Sequence, residues 1–404
     1  MGRNRVIYQS EALFVKEISE HNALNSTDQL LRVQDISHGV ELNRTDVNEF
    51  GQLSAIERPI IEPPTVSLEF SYYLHGGNNE ELIGFEHNTD RGTASSAGLV
   101  NGLKNFLSND SGKNYYIGVS AEGDDLKGTN AGEQQGVIGI GNGYISNYSV
   151  EAAVGDMPTA SVSVEANNIR FNATGTDIPN PAINLNTGAN YGGTDITSFP
   201  QASRTGTKSS SGDFDVACLR PGDVIVDFND AGHNAPSSSG AADYVQSLGG
   251  ARIEGDGQCH LQNFTVDVPM ARTALTRLGN RFPYAREIEV PMNITFSCSA
   301  FLADIEEGNL NALVCNSAAT RNIRVKMLEP CLSSGEPSTR ISQEFLIKGA
   351  ELESQSFSNS IGENKTVDLV FSVQLSGANA TDKGLFMWKG ESFSASEASE
   401  NPRG

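Results

Sequence analysis

The sequence predicts a mainly β chain made of two tandem copies of one sheet-forming unit, each with a flanking α-helix and a long arm loop. Three observations carry this. A stretch of the first half, 31–74, recurs in the second half at 259–300, and an internal repeat decides architecture before any local signal does. Several segments alternate apolar and polar residues with a period of two, as strands with one buried face do. The 404 residues are 38% hydrophobic and include 41 glycines, with much Ser, Asn and Thr, a composition that suits strands and loops better than helices.

The repeat can be followed residue by residue. A shift of 228 positions places Val33 on Leu261, Gln34 on Gln262, Asp35 on Asn263, Arg44-Thr45 on Arg272-Thr273 and Gly51 on Gly279. After a two-residue deletion, Val66 falls on Met292 and Leu74 on Ala300. Leu103, Phe106 and Leu107 then match Leu310, Leu313 and Val314, and Gly155 matches Gly362. The first copy carries about 19 extra residues around 75–92, and a loop insertion leaves a fold intact. Units of roughly 150–170 residues bury about 70% of their unfolded surface, enough for a core each. The expected organisation is a first domain at 1–171, a polar linker or surface loop at 172–212, a second domain at 213–377 and a mobile tail at 378–404.

Along the chain, 31–42 reads as a strand and 43–64 as an arm whose Pro59, Pro63 and Pro64 limit regular pairing. In 66–74, Val66, Leu68, Phe70, Tyr72 and Leu74 share one face and Ser67, Glu69, Ser71 and Tyr73 the other. Ser95 or Ser96 caps a predicted helix at 97–107, with Leu99, Val100, Leu103, Phe106 and Leu107 as its apolar stripe. Strands follow at 115–121 and 137–155, the second bent or split at Gly139, Gly141 and Gly143. A hairpin at Gly155-Asp156 leads to a strand at 159–166. Segment 172–212 is poor in apolar residues and rich in Asn, Gly, Ser, Thr and Pro, hence linker or loop. The second copy opens on a strand at GDVIVDF and alternates again in 292–300 and 367–374. In the tail, Leu385, Phe386, Met387 and Trp388 are expected to dock locally.

A formal charge of −22 argues against binding nucleic acid by charge neutralisation, which needs Lys and Arg. Residues 1–20 lack a continuous apolar run, so neither a secretory signal nor a membrane span is expected. The cysteines at 218, 259, 298, 315 and 331 lack CxxC spacing and read as reduced thiols, with Cys298 on core parity. Asp227-Phe-Asn229-Asp-Ala-Gly232 begins like a calcium loop, but Ala231 and Ser238 stand where ligands are needed. Gly139-Ile-Gly141-Asn-Gly143 lacks the closing glycine of a dinucleotide loop. The histidines are isolated, no Gly-x-Ser-x-Gly elbow occurs, and no carboxylate pair is set in apolar sequence. No catalytic residue, metal or cofactor is therefore expected, and the chain does not read as an enzyme.

The polar parity of the alternating strands is the candidate site. It comprises Ser67, Glu69, Ser71, Glu151, Ser161, Ser163, Glu165, Asn293, Thr295, Ser297, Asp368, Ser372 and Gln374. It reads either as an ordinary solvated face or as the lining of a wet channel, where small neutral groups and a few carboxylates repel phosphate.

The order strand, arm, strand, helix, strand, hairpin, with the phrase SNYSVEAAVGDMPTASVSVEA and its Val154-Gly155-Asp156-Met157-Pro158 turn, resembles a bacteriophage tail tube protein. The resemblance covers 31–171 and, through the repeat, 259–375. It implies two tandem tail-tube-like β-sandwich domains in a structural virion protein. By the same resemblance three chains supply the six units of a ring, and rings stack into the conduit for DNA ejection. The polar parity then faces the lumen. The arms, with Arg44, Phe50, Arg58, Arg272, Arg277 and Arg286, contact the next ring or subunit. Implied partners are other copies of the chain and the tape measure, terminator and baseplate proteins. DNA passes through without specific binding, and no membrane is involved. The implied location is the virion, after synthesis in the host cytoplasm. A baseplate hub or distal tail ring of the same fold is the alternative. A carbohydrate-binding decoration protein is a weaker one, since apart from Tyr73 the few aromatics lie mostly on core parity.

Overall fold

The computed structural model describes residues 11–88, 99–108, 112–120, 126, 134–173, 176–192, 195–200, 218–227, 261–301, 320–329, 341–358 and 366–390. The first half contains β1 (Glu11–Glu17), β2 (Val33–Glu41), β3 (Thr65–Tyr73), β4 (Lys113–Ser120), β5 (Gln134–Ala153), β6 (Thr159–Ala166) and β7 (Asn168–Asn172). The ribbon β8 (Thr176–Ile178) and β9 (Ile196–Ser198) follows. The second half contains β10 (Val224–Asp227), β11 (Leu261–Pro269), β12 (Arg272–Leu275), β13 (Ala285–Ile288), β14 (Asn293–Phe301), β15 (Arg321–Leu328), β16 (Ile341–Ser358), β17 (Thr366–Gln374) and β18 (Gly384–Lys389).

Apart from the ribbons β8–β9 and β12–β13, these strands join one 14-stranded antiparallel sheet. In the first half the pairing runs β2-β3-β6-β5-β4-β1, with β7 also on β5. In the second it runs β11-β14-β17-β16-β15-β10, with β18 on β16. The two orders are the same. The halves meet where β11 pairs with β5.

The likeness extends to the irregularities. The β2–β3 ladder slips between Val33 and Asp35, and the β11–β14 ladder between Leu261 and Asn263. The β5–β6 slip between Ile145 and Asn147 has its counterpart in β16–β17 between Leu352 and Ser354. The β4–β5 slips at Lys113/Tyr115 and Val119/Ser120 reappear in β15–β16 at Arg321/Ile323 and Met327/Leu328. Where the long strands bend, Asn142 and Gly349 both take left-handed backbone (φ 55 and 78). Bulges bend a strand at a fixed place, so β5 and β16 each serve two layers. Their first parts pair with β4 and β15, their last parts with β6 and β17. The core lies between those layers, with Leu13, Tyr115 and Ile117 facing Leu68, Phe70 and Val162 in the first half.

Register also corrects the repeat. Ile36 stands opposite Phe70, and Phe264 opposite Cys298. Phe70 therefore corresponds to Cys298, one shift holds through the whole arm, and no two-residue deletion exists. A slip of two leaves every side chain on its own face, so the alternation itself does not reveal it.

Four further expectations change. The helix predicted at 97–107 is shorter, α2 (Lys104–Ser108), because 99–103 runs beside β18 instead. Gly102 donates its amide to the Leu385 carbonyl at 2.7 Å, and a Cβ there would stand 3.2 Å from that oxygen. Its caps Ser95 and Ser96, and the matching helix of the second half, lie outside the described residues. A different helix, α1 (Asn78–Ile83), forms inside the stretch expected to be polar loop. Segment 176–200 is no linker. Ile178, Ile183, Ile196 and Phe199 are buried, and Phe199 meets Phe14 edge-on at 4.8 Å. Gly118 and Gly141 admit it, since a Cβ would strike Phe199 at the first and the Pro181 backbone at the second. Nor is the start of the tail mobile, for Leu385, Phe386, Met387 and Trp388 are fully buried in β18.

Candidate assembly surface

The seam between the halves follows from alternation on both strands. Val266 lies opposite Val150 and Val268 opposite Tyr148, and all four side chains are fully buried. Each contributes about 1.5–3 kcal/mol relative to exposure. Between them, Asp267 lies opposite Ser149 and Thr265 opposite Glu151 on the other face. One polar row can be read across the whole sheet: Asp35, Ser71, Ser161, Ser149, Asp267, Thr295, Ser372, Glu351. The next row is apolar: Tyr72, Ala160, Val150, Val266, Phe296, Phe371.

All the polar residues singled out in the sequence fall on that polar side of the sheet. Ser67 faces Glu165, Glu69 faces Ser163 and Ser71 faces Ser161. Asn293 faces Gln374 and Thr295 faces Ser372. Glu151 and Ser297 flank Thr265, and Asp368 lies between Ser299 and Ser356. Glu165 differs from the rest, being ion-paired to Arg286.

The ends of the sheet are open. Among the described residues no strand covers β2 on the side away from β3, or 351–358 of β16 on the side away from β17. Val40 is 48% exposed where its counterpart Val268 is fully buried, and Phe357 is 55% exposed where its counterpart Val150 is fully buried.

The arms split in the same way. The second arm, β12–β13, lies on its own chain. Arg272 donates from Nε to the Ile145 carbonyl (2.8 Å) and from Nη1 to the Arg286 carbonyl (3.3 Å), with its guanidinium 5.2 Å from the Tyr144 ring centre. Arg286 reaches Asn167 Oδ1 from Nε (3.2 Å) and Nη2 (3.1 Å), and Glu165 from Nη1. Burial pulls this guanidinium below the ordinary arginine value, and Glu165 opposes the shift. Arg277 donates to the Asn186 carbonyl at 2.7 Å. The first arm is closed on itself, by the bridges Arg44–Ile60 and Val47–Glu57 and by a hydrogen bond from Asn43 to Glu62 at 3.0 Å. Arg44 Nη1 donates to the Arg58 carbonyl at 3.1 Å, as Arg272 does to that of Arg286. Arg58 itself turns to Asp46, both side chains being mostly exposed (64% and 50%). Phe50, Leu53, Ile56 and Ile61 are exposed along this arm.

Behind the sheet Glu80 of α1 is fully buried and accepts hydrogen bonds from Tyr72 (2.9 Å) and Tyr148 (3.1 Å). Burial raises its pKa above the usual carboxylate range. Sequence reading missed this hub, the seam and the Tyr144–Arg272 contact. Among the described residues there is no cluster of His, Cys, Asp or Glu able to hold a metal, and no helix is long and apolar enough to cross a membrane. The start of the calcium-like loop keeps only Asp227 among the described residues.

No known protein family and no curated protein sequence matches this chain. Solved structures similar to it include the tail of an empty gene transfer agent particle, at 10% identity and a TM-score of 0.21, covering 40% of this chain and 96% of that one. The virion of a native gene transfer agent particle gives 9%, 0.20, 42% and 98%, and an Hcp protein gives 10%, 0.21, 41% and 98%. Each of those chains is spanned nearly end to end by less than half of this one.

Proposed function

We propose that the chain is a structural subunit of a bacteriophage tail tube, made of two copies of one unit by duplication. Three molecules then close a ring of six units, and rings stack into a conduit for DNA. The first unit takes in 1–171 with 176–200 packed on it, and the second runs from 213 to β18. The reading is carried by the recurrence of strand order and bulges in two halves that already join edge to edge, while the outermost edges stay open. An open sheet edge is a template for another chain, and head-to-tail pairing of one edge with the other gives a ring where the rotation closes.

In this reading the polar row faces the lumen. Its Ser, Thr and Asn groups offer DNA phosphate no cationic partner, and its carboxylates repel it. The exposed first arm reaches the neighbouring ring. The partners are further copies of the chain, then the tape measure, terminator and baseplate proteins, and the location is the virion.

Electron microscopy of the purified chain at rising concentration tests this. Hollow tubes or rings with threefold organisation are expected. Compact monomers at every concentration overturn the reading, and single rings that never stack favour a distal ring or hub.

A further inference from the structure

The seam inside the molecule is a template for the one between molecules. β11 corresponds to β2, and the last part of β5 corresponds to 351–358 of β16, by strand order and by every bulge. Carrying the β11–β5 register over sets Ser37 opposite Ser358, His38 opposite Phe357, Gly39 opposite Ser356 and Val40 opposite Gln355. It also carries the arm roots. Arg44 and Arg58 stand where Arg272 and Arg286 do, and already keep the same Arg-to-carbonyl hydrogen bond. The groups they would meet are different. Tyr144, against which Arg272 lies, is replaced by Glu351, and Glu165 and Asn167, which hold Arg286, are replaced by Ser372 and Gln374, with Glu353 beside Ser372. Glu351 now pairs with Lys383 at 3.2 Å, and Glu353 accepts from Ser372 at 2.5 Å.

We propose that a second copy of this chain seats its β2 on 351–358 in this register, with Arg44 and Arg58 clamping Glu351 and Glu353 of the copy they reach. This rests on the tube reading and adds the partner surface, the register and the charged clamp. The inner seam is fastened by a stacked ring and a buried guanidinium, the outer one by two exposed arginines on two exposed carboxylates. The outer seam is therefore the salt-sensitive one, since exposed charges are screened by salt and buried ones much less.

Double cysteine variants test the register. Ser37→Cys with Ser358→Cys brings facing Cβ atoms to about 4.5–5.5 Å, whereas Ser37→Cys with Ser356→Cys leaves them about 7–8 Å apart, beyond disulfide reach. Mild oxidation of assembled protein is expected to link the first pair into covalent oligomers and not the second, with the single-cysteine variants as controls. Arg44→Glu is expected to raise the concentration needed for assembly about tenfold, and adding Glu351→Arg to restore it. Unfolding of the dispersed chain, followed by circular dichroism, should not move. Rings that link only through the second pair, or an Arg44→Glu defect that Glu351→Arg does not relieve, overturn the seam and leave the tube reading standing. Folded protein that forms no ring at all overturns both.

Discussion

The β5–β11 seam and the two bare edges of the same sheet are built from corresponding strands, yet one is core and the others are surface. Val268 and Val40 occupy the same place in the repeat, and among the described residues only the first has a strand on its outer side. Burial at a sheet edge is set by the neighbour, not by the parity of the residue. The sharpest way to break this comparison is to put a carboxylate at a matched pair of the same two strands, Val266 and His38. Val266→Asp buries an unpaired charge and is expected to cost about 5 kcal/mol in denaturant unfolding. His38→Asp, at the corresponding exposed position, is expected to change monomer stability by less than about 0.5 kcal/mol while suppressing assembly. Equal effects on unfolding would mean that β2 is not the counterpart of β11.

A second contrast lies in the outer layer. The second half buries an ion pair, Arg324 with Glu344 at 3.2 Å, where the first has Tyr116 and Val137, both buried. Glu344→Ala takes the carboxylate from a buried guanidinium and should lose about 3–5 kcal/mol. Importing the first half's residues together, Arg324→Tyr with Glu344→Val, should instead be neutral or stabilising by about 1–4 kcal/mol. Thermal melts of the two variants decide it, and a double variant as unstable as the single one would show the two sites are not interchangeable.

The two tyrosines of the Glu80 hub are not repeated in the second half, where Ala300 and Gln355 stand in place of Tyr72 and Tyr148. Glu80→Ala leaves two buried hydroxyls without their acceptor, at about 1–3 kcal/mol each. Because its folded pKa is raised, the folded state keeps a proton that the unfolded chain gives up. Stability from this group is full below the ordinary glutamate pKa and declines as pH rises through the folded value. Glu80→Gln should flatten that decline in unfolding curves taken between pH 4 and about 8. A small effect is also expected at Asp46. Its pair with Arg58 is exposed, so Asp46→Asn should move unfolding by less than about 1 kcal/mol.

Much of the sheet was legible in the sequence. The alternation in 159–166 marks β6 to the residue, and that around Val66 and Phe296 marks the core faces of β3 and β14. Alternation has a period of two, so it was blind to the slip that suggested a deletion in the arm. Tertiary packing was hidden elsewhere. Ile178, Ile196 and Phe199 are scattered among polar residues, and they are buried because distant glycines open a path for them. Trp388 and its neighbours looked like a small island in a tail, and a strand edge on β16 holds them. At the candidate site the polar face was readable as a parity. The buried engagement of Arg272 and Arg286 was not, because the same two arginines occur in both arms and only one arm has a surface beneath it.

One consequence of the β5–β11 joint concerns time and dilution. Its two strands belong to a single chain, so they find each other at the high effective concentration a tether provides. That contact forms as the polypeptide folds, whatever the abundance of the protein in the cell. In the proposed assembly, only encounters at the bare edges obey mass action, which leaves them as the place where growth would be started, slowed or stopped.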